Sequence, residues 1–204
     1  MRITRAAIII ALGLPAGLLS LHSRQAAAQQ PAAGPPANPI TSVFQGRIRA
    51  LHRNVAQAFD SIPADKFGYK PTPAQLTIGY IAQHLANDNY FFCNNFGAAK
   101  GTRAAADTTT ADSVKATWPK EQLVSQLKAS FAFCEQALGQ LDDTKLADQV
   151  TMTFRGQSRQ VPRAQMVLGH ALDLADHYSQ LANYMRLNNI LPPTALPRRP
   201  AGGN

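Results

Sequence analysis

The chain has 204 residues and a formal charge of +8, room for one domain with a core of its own and some additional sequence. The charge suggests a nucleic-acid binder only until it is located. Arg2, Arg5 and Arg24 lie near the start and Arg198 and Arg199 near the end, while Asn38 to Thr194 holds 15 basic against 12 acidic residues. The basic footprint that backbone phosphates demand is absent from the folded part, which excludes nucleic acid as the expected partner.

Residues 1–28 read as a secretory signal peptide. Met1-Arg-Ile-Thr-Arg5 is a basic start, Ala6 to Leu21 an apolar run broken by Gly13, Pro15 and Gly17, and Ala26-Ala27-Ala28 a small-residue cleavage site. An uncut membrane anchor is the competing reading, against which the apolar run falls short of the ~20 residues a spanning helix needs. The expected location is exported, periplasmic or extracellular, with no membrane association after cleavage. Residues 29–39, rich in Gln, Ala, Pro and Gly, read as a flexible stalk.

From Thr41 the pattern becomes helical. Val43, Phe44, Ile48, Leu51, Val55, Ala58 and Phe59 recur at three- and four-residue spacing and predict a first amphipathic helix ending near Ser61-Ile62-Pro63. His52 falls between Leu51 and Arg53 and reads as a surface or boundary histidine. Pro71 and Pro73 fix an extended approach to a second helix. Thr77, Ile78, Tyr80, Ile81, His84, Leu85, Asp88, Tyr90, Phe91 and Phe92 carry that helix to about Ala98.

Ala99 to Trp118 shows little that can pack, and about twenty structureless residues are unusual in a compact domain, so the segment is expected to have a role. Pro119 opens a third helix with Leu123, Leu127, Ser130, Phe131, Cys134, Leu138 and Leu141 on its inner face. Gln149 to Phe154 alternates in the β manner and, with the turn Arg155 to Ser158 and Arg159 to Val161, predicts a small hairpin. Pro162 starts a fourth helix reaching about Asn188, after which Pro192-Pro193 prevents continuation. Residues 195–204 read as a disordered tail, leaving 40–194 as the folded domain.

Two cysteines, Cys93 and Cys134, are an even count, and in an oxidising compartment they are expected to pair; the competing reading is two small buried hydrophobes. A bridge sets the C-terminal ends of the second and third helices at one level, so these helices run parallel. Antiparallel neighbours on a short turn would leave Cys134 on the order of 20 Å away, beyond disulfide reach. The long Ala99 to Trp118 connection is what a parallel pair requires. The predicted fold is all-α, a four-helix bundle with a long crossover between helices 2 and 3 and a small β-hairpin before helix 4.

The chemistry concentrates in Gly169-His-Ala-Leu-Asp-Leu-Ala-Asp-His177. At about 100° per residue, His170, Asp173 and His177 fall within roughly 60° of one another on the fourth helix, whose remaining surface is largely apolar. A rigid metal site needs a ligand from another helix, and His84 is the histidine set deep in a second apolar helix. Nine residues, about half a turn of rotation, separate it from Cys93, so it faces a different neighbour. His84, Asp173 and His177 make a two-histidine, one-carboxylate set with coordination positions left open. Zinc, nickel, manganese and ferrous iron all suit it. His170 is the spare: a fourth ligand, or in preference a second-shell partner or a packed histidine. A buried hydrogen-bond network with no metal remains the alternative on spacing alone.

The run from Lys70-Pro71 to His84-Leu-Ala and the run from Asp173 through His177-Tyr178 to Pro192-Pro193 resemble the DinB superfamily of four-helix bundles. The resemblance covers roughly Thr41 to Thr194. It implies a divalent metal held by one histidine of helix 2 and an HxxxH pair on the last long helix, which by position are His84, Asp173 and His177. Asp173 departs from the family pattern, where histidine is usual; a carboxylate still ligates, but it adds negative charge and makes a bound water less acidic. Two functions follow as expectations: a metal-assisted hydrolase or transferase acting on a small molecule, or a bundle that binds a metal or small ligand without turning it over. A homodimer is compatible with either.

Overall fold

The computed structural model describes residues 37–197. The expected signal peptide, most of the stalk and the end of the tail lie outside these residues. Among the described residues no helix is long and apolar enough to cross a membrane.

Four long helices carry the fold: α1 (Pro39–Ser61), α2 (Ile78–Cys93), α5 (Lys120–Leu138) and α6 (Arg163–Leu187). Two short helices, α3 (Ala105–Thr109) and α4 (Asp112–Lys115), lie in the crossover, and β1 (Gln149–Phe154) pairs with β2 (Gln157–Pro162) before α6. Each long helix turns one apolar stripe inward, and Ile48, Val55, Phe59, Ile81, Leu85, Leu123, Leu127, Leu138, Val167, Leu174 and Leu181 are all fully buried in one core. The inner face expected for the third helix is buried throughout. On the first helix Val43 is 72% exposed although Thr41 is buried and Phe44 packs on the core, because at about 100° per residue Val43 lies roughly 140° from Ile48, off the buried stripe.

Side-chain pairs fix the helix directions. Asn89 donates to Ser130 and Cys93 is bonded to Cys134, an advance of four residues on both helices, so α2 and α5 run parallel. Gln45 reaches the carbonyl of Leu138 while Asp60 pairs with Lys128, so α1 opposes α5. His84 meets His177 while Cys93 meets His170, so α2 opposes α6. The bundle is thus one parallel pair set against another, as the disulfide and the long crossover require.

Three boundaries differ from expectation. The second helix ends at Cys93 rather than near Ala98, because Asn94 and Asn95 turn the chain: Asn94 brackets Gly101 through both its side-chain oxygen and nitrogen, and Asn95 donates back to the carbonyl of Phe91. The crossover, expected to lack structure, folds into α3 and α4 around the buried Lys115. Its ammonium lies 2.9 Å from Asp112, 3.3 Å from Asp107 and 3.3 Å from Asn87 of α2, which ties the crossover to that helix. Backbone packing there is close: a Cβ on Gly79 would sit 2.3 Å from the carbonyl oxygen of Ala116. The tail begins later than expected, since Pro193–Ala195 forms a 3-10 turn pinned by the Tyr178 hydroxyl, which accepts from the Thr194 amide and donates to its hydroxyl.

The expected hairpin forms, but its turn is shorter than the expected Arg155 to Ser158: Gln157 and Ser158 already belong to the second strand, with Gln149 opposite Pro162 and Phe154 opposite Gln157. Its two-residue turn places Arg155 at φ 51° and Gly156 at φ 76°, the left-handed pair that matches the twist of the strands.

Candidate metal centre

Helix α2 is started by Thr77, whose hydroxyl accepts from the Tyr80 amide at 3.1 Å. Ile78, Ile81, Ala82 and Leu85 turn into the core, which leaves His84 and Asp88, one turn apart, on the flank toward α6. On α6 the buried Leu174, Tyr178 and Leu181 set the inner face, and Asp173 and His177, again one turn apart, stand on the flank toward α2. Two i, i+4 pairs on opposed helices therefore meet.

Ligand atoms of His84, Asp173 and His177 all lie within 4.8 Å of one another. The His84 and His177 rings meet edge to face at 4.8 Å. His177 Nε2 is 3.5 Å from Asp173 Oδ1, and His84 Nε2 is 3.3 Å from Asp88 Oδ2. These separations are long for hydrogen bonds and ordinary for neighbouring ligands of one ion. Asp173 Oδ2 and His177 Nδ1 are buried without a hydrogen-bond partner, a cost that a cation or an ordered water removes. Two imidazoles and a carboxylate with these unpaired atoms fit a divalent cation.

The electrostatics agree with that chemistry. Burial, with the negative charges of Asp88 and Asp176 added, pushes the Asp173 carboxyl up to about 7. Burial likewise raises Asp88 to about 6, against the attraction of His177. Burial lowers His84, and burial together with His84 lowers His177. Both imidazoles are thus held in the neutral, ligating form, and both carboxylates resist ionising without a cation nearby.

Asp88 was missed in the sequence reading, although its position four residues after His84 was the available signal. His170 does not join the centre. It shares the angular stripe, but two helical turns, about 10 Å, separate it from His177, and it is fully buried among Phe92, Phe96 and His52. The packed-histidine reading describes it, and the second-shell reading does not. His52 is not at the surface: it is 5% exposed, stacks on Phe131 at 4.3 Å and contacts Glu135 and His170. Its spacing from Ile48 and Val55 placed it in the inner stripe all along.

A model of the DinB superfamily matches residues 47–181. The chain belongs to the DinB superfamily. This span takes in α2 and α5 whole and most of α1 and α6, including all four residues of the candidate centre. Among solved DinB-like folds, a dinB-like protein from Bacillus cereus ATCC 10987 aligns with a TM-score of 0.57 at 14% identity over 74% of this chain and 95% of its own. A conserved protein from Enterococcus faecalis aligns at 0.53 and 16% identity over 72% and 96%. The mycothiol-dependent maleylpyruvate isomerase aligns at 0.56 and 14% identity over 69% of this chain, which spans 60% of the isomerase's length. At these identities the likeness is one of fold. No curated protein matches the sequence.

Proposed function

We propose that this DinB-superfamily member is an exported protein that holds a divalent metal with His84, Asp173 and His177 and acts on a small molecule as a metal-assisted hydrolase or transferase. The observation that carries the reading is the meeting of the two i, i+4 pairs across α2 and α6, with Asp173 Oδ2 and His177 Nδ1 buried and unpaired. Zinc, nickel, manganese and ferrous iron remain the ions the donor set suits. Held by His84, Asp173 and His177, such an ion would supply Lewis-acid polarisation of a substrate carbonyl or phosphoryl oxygen.

The chain's own residues supply the rest. Asp88, raised to about 6 by burial, gains or loses a proton at Oδ2 near neutral pH and stands beside His84 as an acid or base. His84 keeps 30% of its side chain exposed while His177 keeps 9%, so the centre opens to solvent on the α2 side. Tyr80 stacks on His84 at 6.1 Å and also lines a cavity of about 650 Å³ walled by Phe67, Leu76 and Trp118. An aromatic-walled cavity of that size suits a small organic molecule, and its link to His84 through Tyr80 favours substrate handling over a closed binding site. Export is supported by the basic, apolar and small-residue order of residues 1–28.

Metal analysis of the mature chain, purified without chelator or histidine tag, tests the reading. The parent is expected to carry up to one zinc, nickel, manganese or iron ion per chain and His177→Ala to carry far less. Equal, metal-free spectra for both would sink the site. Assay of the metal-loaded parent against activated esters and thiol acceptors, with and without chelator, then separates an enzyme from a binding bundle.

A further inference from the structure

A second convergence of side chains lies two turns along the bundle from the first and draws one residue from each long helix: His52 of α1, Cys93 of α2, Cys134 of α5 and His170 of α6. Cys93, Cys134 and His170 are fully buried and His52 is 5% exposed. His52 Nε2 lies 3.3 Å from His170 Nε2, and His170 Nε2 lies 3.8 Å from Cys93 Sγ. Ligand atoms of His52, Cys134 and His170 are all within 4.8 Å of one another. The Cα atoms of the two cysteines are 5.3 Å apart.

These separations can be set against a tetrahedral ion with metal to nitrogen distances near 2.0 Å and metal to sulfur distances near 2.3 Å. Its ligand edges are about 3.3 Å between nitrogens, about 3.6 Å between nitrogen and sulfur and about 3.8 Å between sulfurs. The nitrogen–nitrogen edge is already present and the edge from His170 to Cys93 is nearly so, while the sulfur pair, held together by its covalent bond, must separate. His52 Nδ1 donates to Glu135 Oε1 at 3.0 Å, which turns the Nε2 lone pair inward, as an orienting carboxylate does for a ligating imidazole. Glu135 is itself held by Arg49 at 2.8 Å. His170 Nδ1 has no partner.

We propose that, when Cys93 and Cys134 are reduced, they join His52 and His170 in a closed Cys2His2 site for a tetrahedral divalent cation of the zinc class, so that this site and the disulfide exclude one another. A small-molecule or protein dithiol supplies the reduction: its two electrons and two protons break the sulfur–sulfur bond and leave two thiols, while the dithiol becomes a disulfide. Cation entry releases those two thiol protons to solvent. Two thiolates then balance the dication, and the filled site carries no net charge, as burial among Phe92, Phe96 and Phe131 demands. In reverse, an oxidised dithiol accepts two electrons from the thiolates and two protons from solvent, the bond re-forms and the cation leaves. The chain would therefore hold its four helices together by metal before oxidation and by the disulfide after it.

Cobalt(II) reads this site apart from the nitrogen and oxygen centre, because only thiolate ligation gives an intense charge-transfer band in the near ultraviolet. The full chain, prepared under a phosphine reductant, is titrated with cobalt, and far-ultraviolet dichroism follows its helix content. The expected result is one thiolate-ligated cobalt per helical chain, retained in His177→Ala, absent from the oxidised protein and weakened at least tenfold in His52→Gln and His170→Asn. His170→Cys, which replaces one ligand by another, should restore the band. A reduced, helical chain without the band would overturn the proposal. So would a band undiminished in both histidine variants, or one that appears only after the helices are lost.

Discussion

Asp173 carries two opposed burdens. It is a carboxylate on a largely buried helix flank, and burial with Asp88 and Asp176 nearby raises it to about 7. A carboxyl raised in the folded state contributes stability that is fully present below its unfolded value and is lost as pH rises through the folded one. The metal-free protein should therefore lose stability between about pH 4 and 7, on the order of 3 kcal/mol from this group. Urea unfolding of the chelated parent and of Asp173→Asn across that range measures it, and the decline should be smaller in the variant. An identical slope in both would show that Asp173 ionises freely. Cation affinity should run the other way, rising with pH toward 7 as the proton competing at Asp173 is removed. At this scale the sequence already displayed His84, Asp173 and His177. It did not display Asp88 as a partner or the separation of His170, since angular position on a helix says nothing about height along the bundle.

Elements begin and end where distant residues allow. Asn38 precedes α1 without capping it by side chain. The cap comes instead from Asp143, about a hundred residues on, whose two carboxylate oxygens accept the amides of Thr41 at 2.7 Å and Ile40 at 3.0 Å. The Asp143 amide donates in return to Asn38 Oδ1 at 3.0 Å. A carboxylate at a helix N-terminus satisfies unpaired donors and meets the positive end of the dipole. Asp143→Ala should lower the urea midpoint and speed hydrogen exchange in the first turn of α1; unchanged exchange there would deny the cap. The periodicity of α1, α5 and α6 was legible because each repeats one apolar stripe over several turns. The helices α3 and α4 were not, because two short turns with no apolar stripe acquire order only by wrapping Lys115 against Asp107 and Asp112.

For the whole molecule, the Cys93–Cys134 bond closes a span of 41 residues between two parallel helices that no short turn joins. Removing it with Cys93→Ala and Cys134→Ala together should lower stability by about 2 to 4 kcal/mol at constant helix content. A loss below about 1 kcal/mol would mean that α2 and α5 are held by their packing, including the Asn89 to Ser130 hydrogen bond, with no need of the bridge.

By itself the sequence displayed the all-α class, the parallel run of the second and third helices and the candidate ligands His84, Asp173 and His177, because apolar periodicity, cysteine positions and histidine spacing are local facts with long-range consequences. Only the tertiary structure decided which polar groups share a site. Asp88 stands beside the candidate centre because α2 and α6 are opposed. His52 and His170 meet beside the cysteines because all four helices present a residue at one level of the bundle. Those meetings depend on the relative height of packed helices, which side-chain interlocking sets and no single helix encodes.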